Sequence, residues 1–77
     1  MSLRTAQRRE MAELRRKLTD LKRTTEKGIT DVSLAAEASE LLSTIKELDH
    51  EEKRDLANDA VVIRDRLNTY LRRMGKL

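Results

Sequence analysis

The chain has 77 residues, one His, one aromatic residue, no Cys and no Pro, and its 17 basic and 14 acidic side chains give a net charge of +3. That length allows a single domain, the missing Cys excludes disulfides and thiolate metal sites, and no apolar run approaches the roughly 20 residues that cross a bilayer. So small a core leaves oligomerisation or partner binding as the remaining route to extra stability.

Ala, Leu, Glu, Lys and Arg dominate, which is the profile of long helices. Charged residues reach 40%, a level that also suits disorder, but the aliphatic residues fall at helical spacing through most of the chain. The first ten residues are polar and lack the apolar stretch of a signal peptide. The expectation is a soluble, cytoplasmic protein. Charge is unevenly spread: residues 1–30 hold nine basic and four acidic side chains, residues 31–48 one and four, and residues 49–77 seven and six.

The first predicted helix covers residues 3–27. Met11, Leu14, Leu18 and Leu21 alternate steps of three and four, a coiled-coil seam extended weakly by Gln7 and Thr25. Gly28 suits the position just past a helix end, where only Gly takes a positive φ cheaply.

The second predicted helix covers residues 32–48, with Asp31 or Ser33 as its N-cap. Leu34, Ala38, Leu41, Ile45 and Leu48 form its seam, and Ala35 and Leu42 widen it. A wide stripe on a short helix predicts a central element touching two neighbours.

The heptad phase slips between Leu48 and Leu56. Asp49-His50-Glu51-Glu52 at the slip reads as a capping box, so the chain is expected to break near Asp49. The third predicted helix covers residues 50–74, with Leu56, Ala60, Ile63, Leu67, Tyr70 and Met74 as its seam. Val61 and Leu71 flank it, and Gly75 stands where it would end.

Short connections make neighbouring helices antiparallel. The expected architecture is therefore all-α, an up-down-up bundle of three helices with coiled-coil-like seams. The alternative is a long helical hairpin, with the second and third segments continuous, that dimerises into a four-helix bundle. The bundle would set the acidic start of the third helix beside Arg4, Arg8 and Arg9. It would gather Lys22, Arg23, Lys27, Arg72, Arg73 and Lys76 at one basic pole.

A basic pair recurs every seven residues in the first helix: Arg8-Arg9, Arg15-Arg16 and Lys22-Arg23. On a helix this is a stripe beside the Leu seam with steps of about 10 Å. It suits the phosphates of DNA or RNA, an acidic protein surface, or, most simply, a solvated flank pairing with carboxylates across helices. No aromatic lies within it, so base stacking there is not expected. A helix-turn-helix at Asp49 is disfavoured, because the following helix starts acidic.

Glu47-Leu48-Asp49-His50 carries the Glu-x-x-His spacing of di-iron carboxylate helices. If Asp49 is a cap, Glu47 and His50 belong to different helices and the motif is incidental. Tyr70 reads as a boundary core residue, with a partner anchor as the sharper alternative. No phosphate loop, nucleophile elbow or paired base and nucleophile is visible.

The reading is a non-catalytic structural or interaction protein without cofactor, metal or small-molecule substrate. It would be a self-associating adaptor or a small subunit of a larger assembly, phage or nucleoprotein assemblies included. Its association seam would comprise Met11, Leu14, Leu18, Leu21, Leu34, Leu41, Ile45, Leu56, Ile63, Leu67 and Tyr70. The alternative is sequence-nonspecific nucleic-acid binding through Arg8, Arg9, Arg15, Arg16, Lys22, Arg23, Arg72, Arg73 and Lys76.

Overall fold

Three seams that alternate steps of three and four require three helices that bury their stripes against one another. The computed structural model has that form: α1 is Leu3–Thr24, α2 is Val32–Lys46 and α3 is His50–Arg73. It describes the backbone of residues 3–76 and the side chains of residues 9–76. Among the described residues there are only helices and their connections, and none of those helices is long and apolar enough to cross a membrane.

The helices run up, down and up. Cross-links between α1 and α3 fix the sense: Arg15 lies 3.7 Å from Asp55, and Lys22 lies 2.9 Å from Asp59. Positions that advance along α1 therefore meet positions that advance along α3, so these two helices are parallel. α2 returns antiparallel between them.

The core is made by the seams. Leu14, Leu18 and Leu21 from α1, Ala35, Ala38, Leu41 and Ile45 from α2, and Leu56, Ile63, Leu67 and Tyr70 from α3 are all buried. Met11, Leu34, Leu42, Leu48, Ala60 and Leu71 are half-buried at its margins. α2 and α3 form the closest pair, and the small side chains of Ala35 and Ala38 permit that approach. α1 and α2 touch least. The bundle is a rod of 45 × 20 × 18 Å whose radius of gyration, 13.3 Å, exceeds the roughly 11.5 Å of a compact chain of this length.

Two caps set the helix starts. Asp31 Oδ1 accepts from the backbone N–H of Leu34 at 2.8 Å, and Asp49 Oδ1 accepts from that of Glu52 at 3.0 Å. Asp31, not Ser33, is thus the N-cap of α2. Asp49 has extended backbone angles and follows Glu47, which closes α2. The continuous second and third segments of the hairpin alternative are therefore replaced by a break of three residues. A carboxylate that satisfies an orphan N–H favours starting a new helix there over continuing the old one.

The helix ends fall short of their predicted bounds. α1 stops at Thr24 rather than residue 27, because Thr25–Lys27 form a turn that leads into Gly28 with φ 102°. α2 stops at Lys46 rather than residue 48. α3 stops at Arg73, where Gly75 N–H donates to Arg72 O and Lys76 N–H donates to Leu71 O, the paired closure that a positive-φ Gly75 allows. Met74, expected on the third seam, becomes the cap residue and is exposed.

Candidate functional site

The repeated basic pairs of α1 divide between two directions. Adjacent residues on a helix point about 100° apart, so one row faces α3 and the other faces solvent. Arg15 and Lys22 belong to the inner row and reach Asp55 and Asp59. Lys22 is the more sheltered of the two and sits at hydrogen-bond distance. The pair holding Arg15 is exposed, and such pairs contribute about 0–1 kcal/mol. The side chain of Arg8 lies outside the described residues.

Arg9, Arg16 and Arg23 form the outer row, and all are exposed. Arg16 is flanked along its own helix by Glu13 at 3.8 Å and Asp20 at 3.4 Å, and Glu13 also lies 4.0 Å from Lys17. Arg9 and Arg23 make no ion pair with another described residue. The stripe is therefore interrupted by carboxylates, which lowers the positive potential a nucleic-acid backbone would meet.

α2 carries the opposite charge. Glu37, Glu40 and Glu47 are exposed on its outer side and make no ion pair with another described residue. Between α1 and α2, where helix packing is loosest, runs a groove of about 450 Å³. Leu14, Leu21 and Leu41 form its floor, Arg16, Lys17 and Asp20 one wall, and Glu37 and Glu40 the other. The three leucines are already buried, so the groove offers charged walls over a narrow apolar floor.

The seam residues proposed from the sequence are occupied within the chain. Leu14, Leu18, Leu21, Leu41, Ile45, Leu56, Ile63, Leu67 and Tyr70 are buried against one another, and Met11 and Leu34 half so.

At the end where α1 meets the last turns of α3, Lys27, Arg66 and Arg73 line a second cleft of about 100 Å³ together with Asp65, Thr69 and Tyr70. The basic pole thus includes Lys27 and Arg73 as expected, and Arg72 and Lys76 are exposed beside it. Lys22 turns away to Asp59. Arg66 was not foreseen. Its Nη1 donates to the carbonyl of Lys22 at 2.7 Å and to Thr25 Oγ1 at 3.0 Å. Thr25 in turn donates from Oγ1 to Leu21 O at 2.6 Å and is fully buried. The step of four from Leu21 to Thr25 was the signal for that burial.

Glu47 and His50 fall on different elements, one closing α2 and the other opening α3. At the same junction the backbone N–H of Glu52, and then its side chain, hold the Asp49 carboxyl below its ordinary value. Hydrogen bonding to Asp49 pushes the Glu52 carboxyl up. Both groups are at the surface, so this is local capping chemistry.

No protein-family model, no curated protein and no solved structure matches this chain.

Proposed function

We propose that the chain is a small, non-catalytic interaction protein that self-associates, as an adaptor or as a small subunit of a larger assembly. One observation carries this reading: an exposed row of arginines on α1 and an exposed row of glutamates on α2 belong to the two helices that flank the open groove. Arg9, Arg16 and Arg23 lie along α1, and Glu37 and Glu40 lie along α2 with Glu47 at its C-terminal cap.

A second copy related by a two-fold axis along the rod would set its α2 against the first copy's α1, and its α1 against the first copy's α2. Such an interface is self-complementary. The rod is 45 Å long and 20 Å wide, so a contact along its length brings together more surface than one at its ends. A larger phage or nucleoprotein assembly would use the same charges, and the cysteine-free chain suits the cytoplasm.

Nucleic-acid backbone binding is the second reading. The exposed Arg72, Arg73 and Lys76 at one end favour it. The interrupted stripe on α1 disfavours it, because several phosphates must be met in succession for a strong counterion-release effect.

Sedimentation velocity over a wide concentration range tests the proposal. Dimers or larger species should grow with concentration and weaken as salt screens the flanks. A monomer at every concentration overturns it. Filter binding to unrelated DNA and RNA sequences, with a steep salt slope, would instead support the second reading.

A further inference from the structure

We propose that the cleft beside Gly28 is a seat for a phosphate monoester, independent of self-association and at the opposite type of site from the charged flank. Three cations, Lys27, Arg66 and Arg73, and one carboxylate, Asp65, line it. The formal balance of +2 matches a phosphate monoester, which carries about −1.5 to −2 at neutral pH.

Arg66 makes the cleft more than a collection of surface charges. A guanidinium has five N–H donors in a rigid plane. Arg66 Nη1 is anchored to Lys22 O and Thr25 Oγ1. Its Nη2 and Nε donate to no described residue, and no buried side-chain nitrogen or oxygen among the described residues lacks a partner. Those donors are therefore open to solvent on a group already fixed in orientation. A pre-oriented fork of this kind binds two oxygens of one anion with little further loss of freedom.

The other two cations are also available. Lys27 and Arg73 are exposed and form no ion pair with a described residue. Arg73 is not needed to close α3, because Gly75 and Lys76 satisfy the carbonyls of Arg72 and Leu71. Gly28, with φ 102°, turns the chain sharply after Lys27, and both residues line the cleft together with residues of α3. Thr69 contributes an acceptor at most, since its hydroxyl proton is given to Asp65 O at 2.9 Å.

Size and charge select the ligand. A volume of about 100 Å³ equals roughly three waters at about 30 Å³ each, the scale of a tetrahedral oxyanion. A carboxylate would bring one charge and two oxygens to three cations and leave one of them unmatched. A phosphodiester also brings a single charge.

Titration of the ¹⁵N-labelled chain with inorganic phosphate at constant ionic strength tests the proposal. Saturable shifts are expected at the amides of Lys27, Gly28 and Ile29 and at the Arg66 Nε–H. Acetate should produce none that saturate. Lys27→Gln and Arg73→Gln lie on the surface and leave the Arg66 anchor intact, and each should weaken phosphate binding by roughly tenfold, the scale of one charge-assisted contact. A phosphoserine peptide binding at the same residues assigns the seat to a protein-borne phosphate. Saturation by inorganic phosphate alone assigns it to the free ion. Shifts that stay linear in phosphate, saturable shifts unaffected by both substitutions, or tighter binding of a duplex without terminal phosphates each overturn the proposal.

Discussion

Arg66 on α3 donates from Nη1 to Thr25 Oγ1 at 3.0 Å, and this contact joins the C-terminal end of α1 to the middle of another helix. The carbonyl of Lys22 is one of the last four of α1, which have no partner within their own helix. The same Nη1 donates to it at 2.7 Å. A cation at that end also complements the negative pole of the helix. Thr25 is fully buried, so its hydroxyl is affordable only because it both donates and accepts.

A double-mutant cycle on this pair gives the first prediction. Arg66→Met keeps the apolar stem but leaves Lys22 O and Thr25 Oγ1 short of a donor, and should cost about 1.5–3 kcal/mol. Thr25→Val keeps the shape and should cost about 1 kcal/mol. Because the two share one bond, the double variant should lose less than the sum of the single changes. Strict additivity in denaturant melts would mean that the contact contributes nothing.

The second prediction concerns the seam. Leu18 and Ile63 have no exposure at all, whereas Val61 is 51% exposed. Leu18→Ala should cost about 2–5 kcal/mol through lost burial and a residual cavity. That is a large share of the stability available to so small a domain. Val61→Ala should stay within about 0.5 kcal/mol. Similar losses in thermal melts for both substitutions would contradict the orientation of α1 or α3.

The architecture was legible because each seam repeats at helical spacing and each break carries its own local chemistry. Leu14, Leu18 and Leu21 are buried where their spacing placed them, and Asp49 caps α3 as the capping box required. The helix ends were less legible. Spacing alone carries the first helix on to Lys27, but Arg66, from 41 residues further along the chain, satisfies α1 at its last turn. The division of the basic stripe was hidden for a related reason. The sequence shows pairs at 15–16 and 22–23, and only the position of Asp55 and Asp59 decides which member of each pair is engaged. Spacing alone did not separate the expected bundle from the dimerising hairpin, since a seam that closes a bundle and one that joins two chains have the same spacing.

The third prediction follows from the junction of α2 and α3. The Asp49 carboxyl is held below its ordinary value, chiefly by the backbone N–H of Glu52. A depressed carboxyl adds stability above its unfolded value, and that stability is lost as pH falls through the folded value. The Glu52 carboxyl is raised, chiefly by its side-chain hydrogen bond to Asp49. Its contribution has the opposite sign: present below its unfolded value and lost as pH rises through the folded one. The two oppose each other across the acid range. Glu52→Gln should therefore make thermal stability rise more steeply between about pH 3 and about pH 6, where carboxyls titrate. Asp49→Asn removes both effects and should flatten that window. Parallel curves for the parent and both variants would rule out the coupling.

The last prediction tests the flanks. Glu37→Lys with Glu40→Lys turns the exposed row of α2 basic, and Arg16→Glu with Arg23→Glu leaves one arginine and two glutamates in the exposed row of Arg9, Arg16 and Arg23 on α1. All four residues are exposed, so circular dichroism should show that each variant keeps its helices. In the two-fold arrangement α1 always meets the partner's α2. Copies of either variant then meet like charge along both contacts, and each variant alone should be monomeric at concentrations where the parent associates. Like-charge juxtaposition of this kind costs several kcal/mol, enough to weaken association by more than about tenfold. A mixture of the two should recover a dimer, because the basic variant's α1 then meets the acidic variant's α2 and the reverse contact is matched as well. Added salt should weaken that mixed dimer, since its specificity rests on exposed charge. Sedimentation velocity on each variant and on the mixture decides the matter. If the parent associates but both variants associate equally well, the interface lies elsewhere on the rod; if the mixture stays monomeric, the pairing of α1 with α2 is wrong.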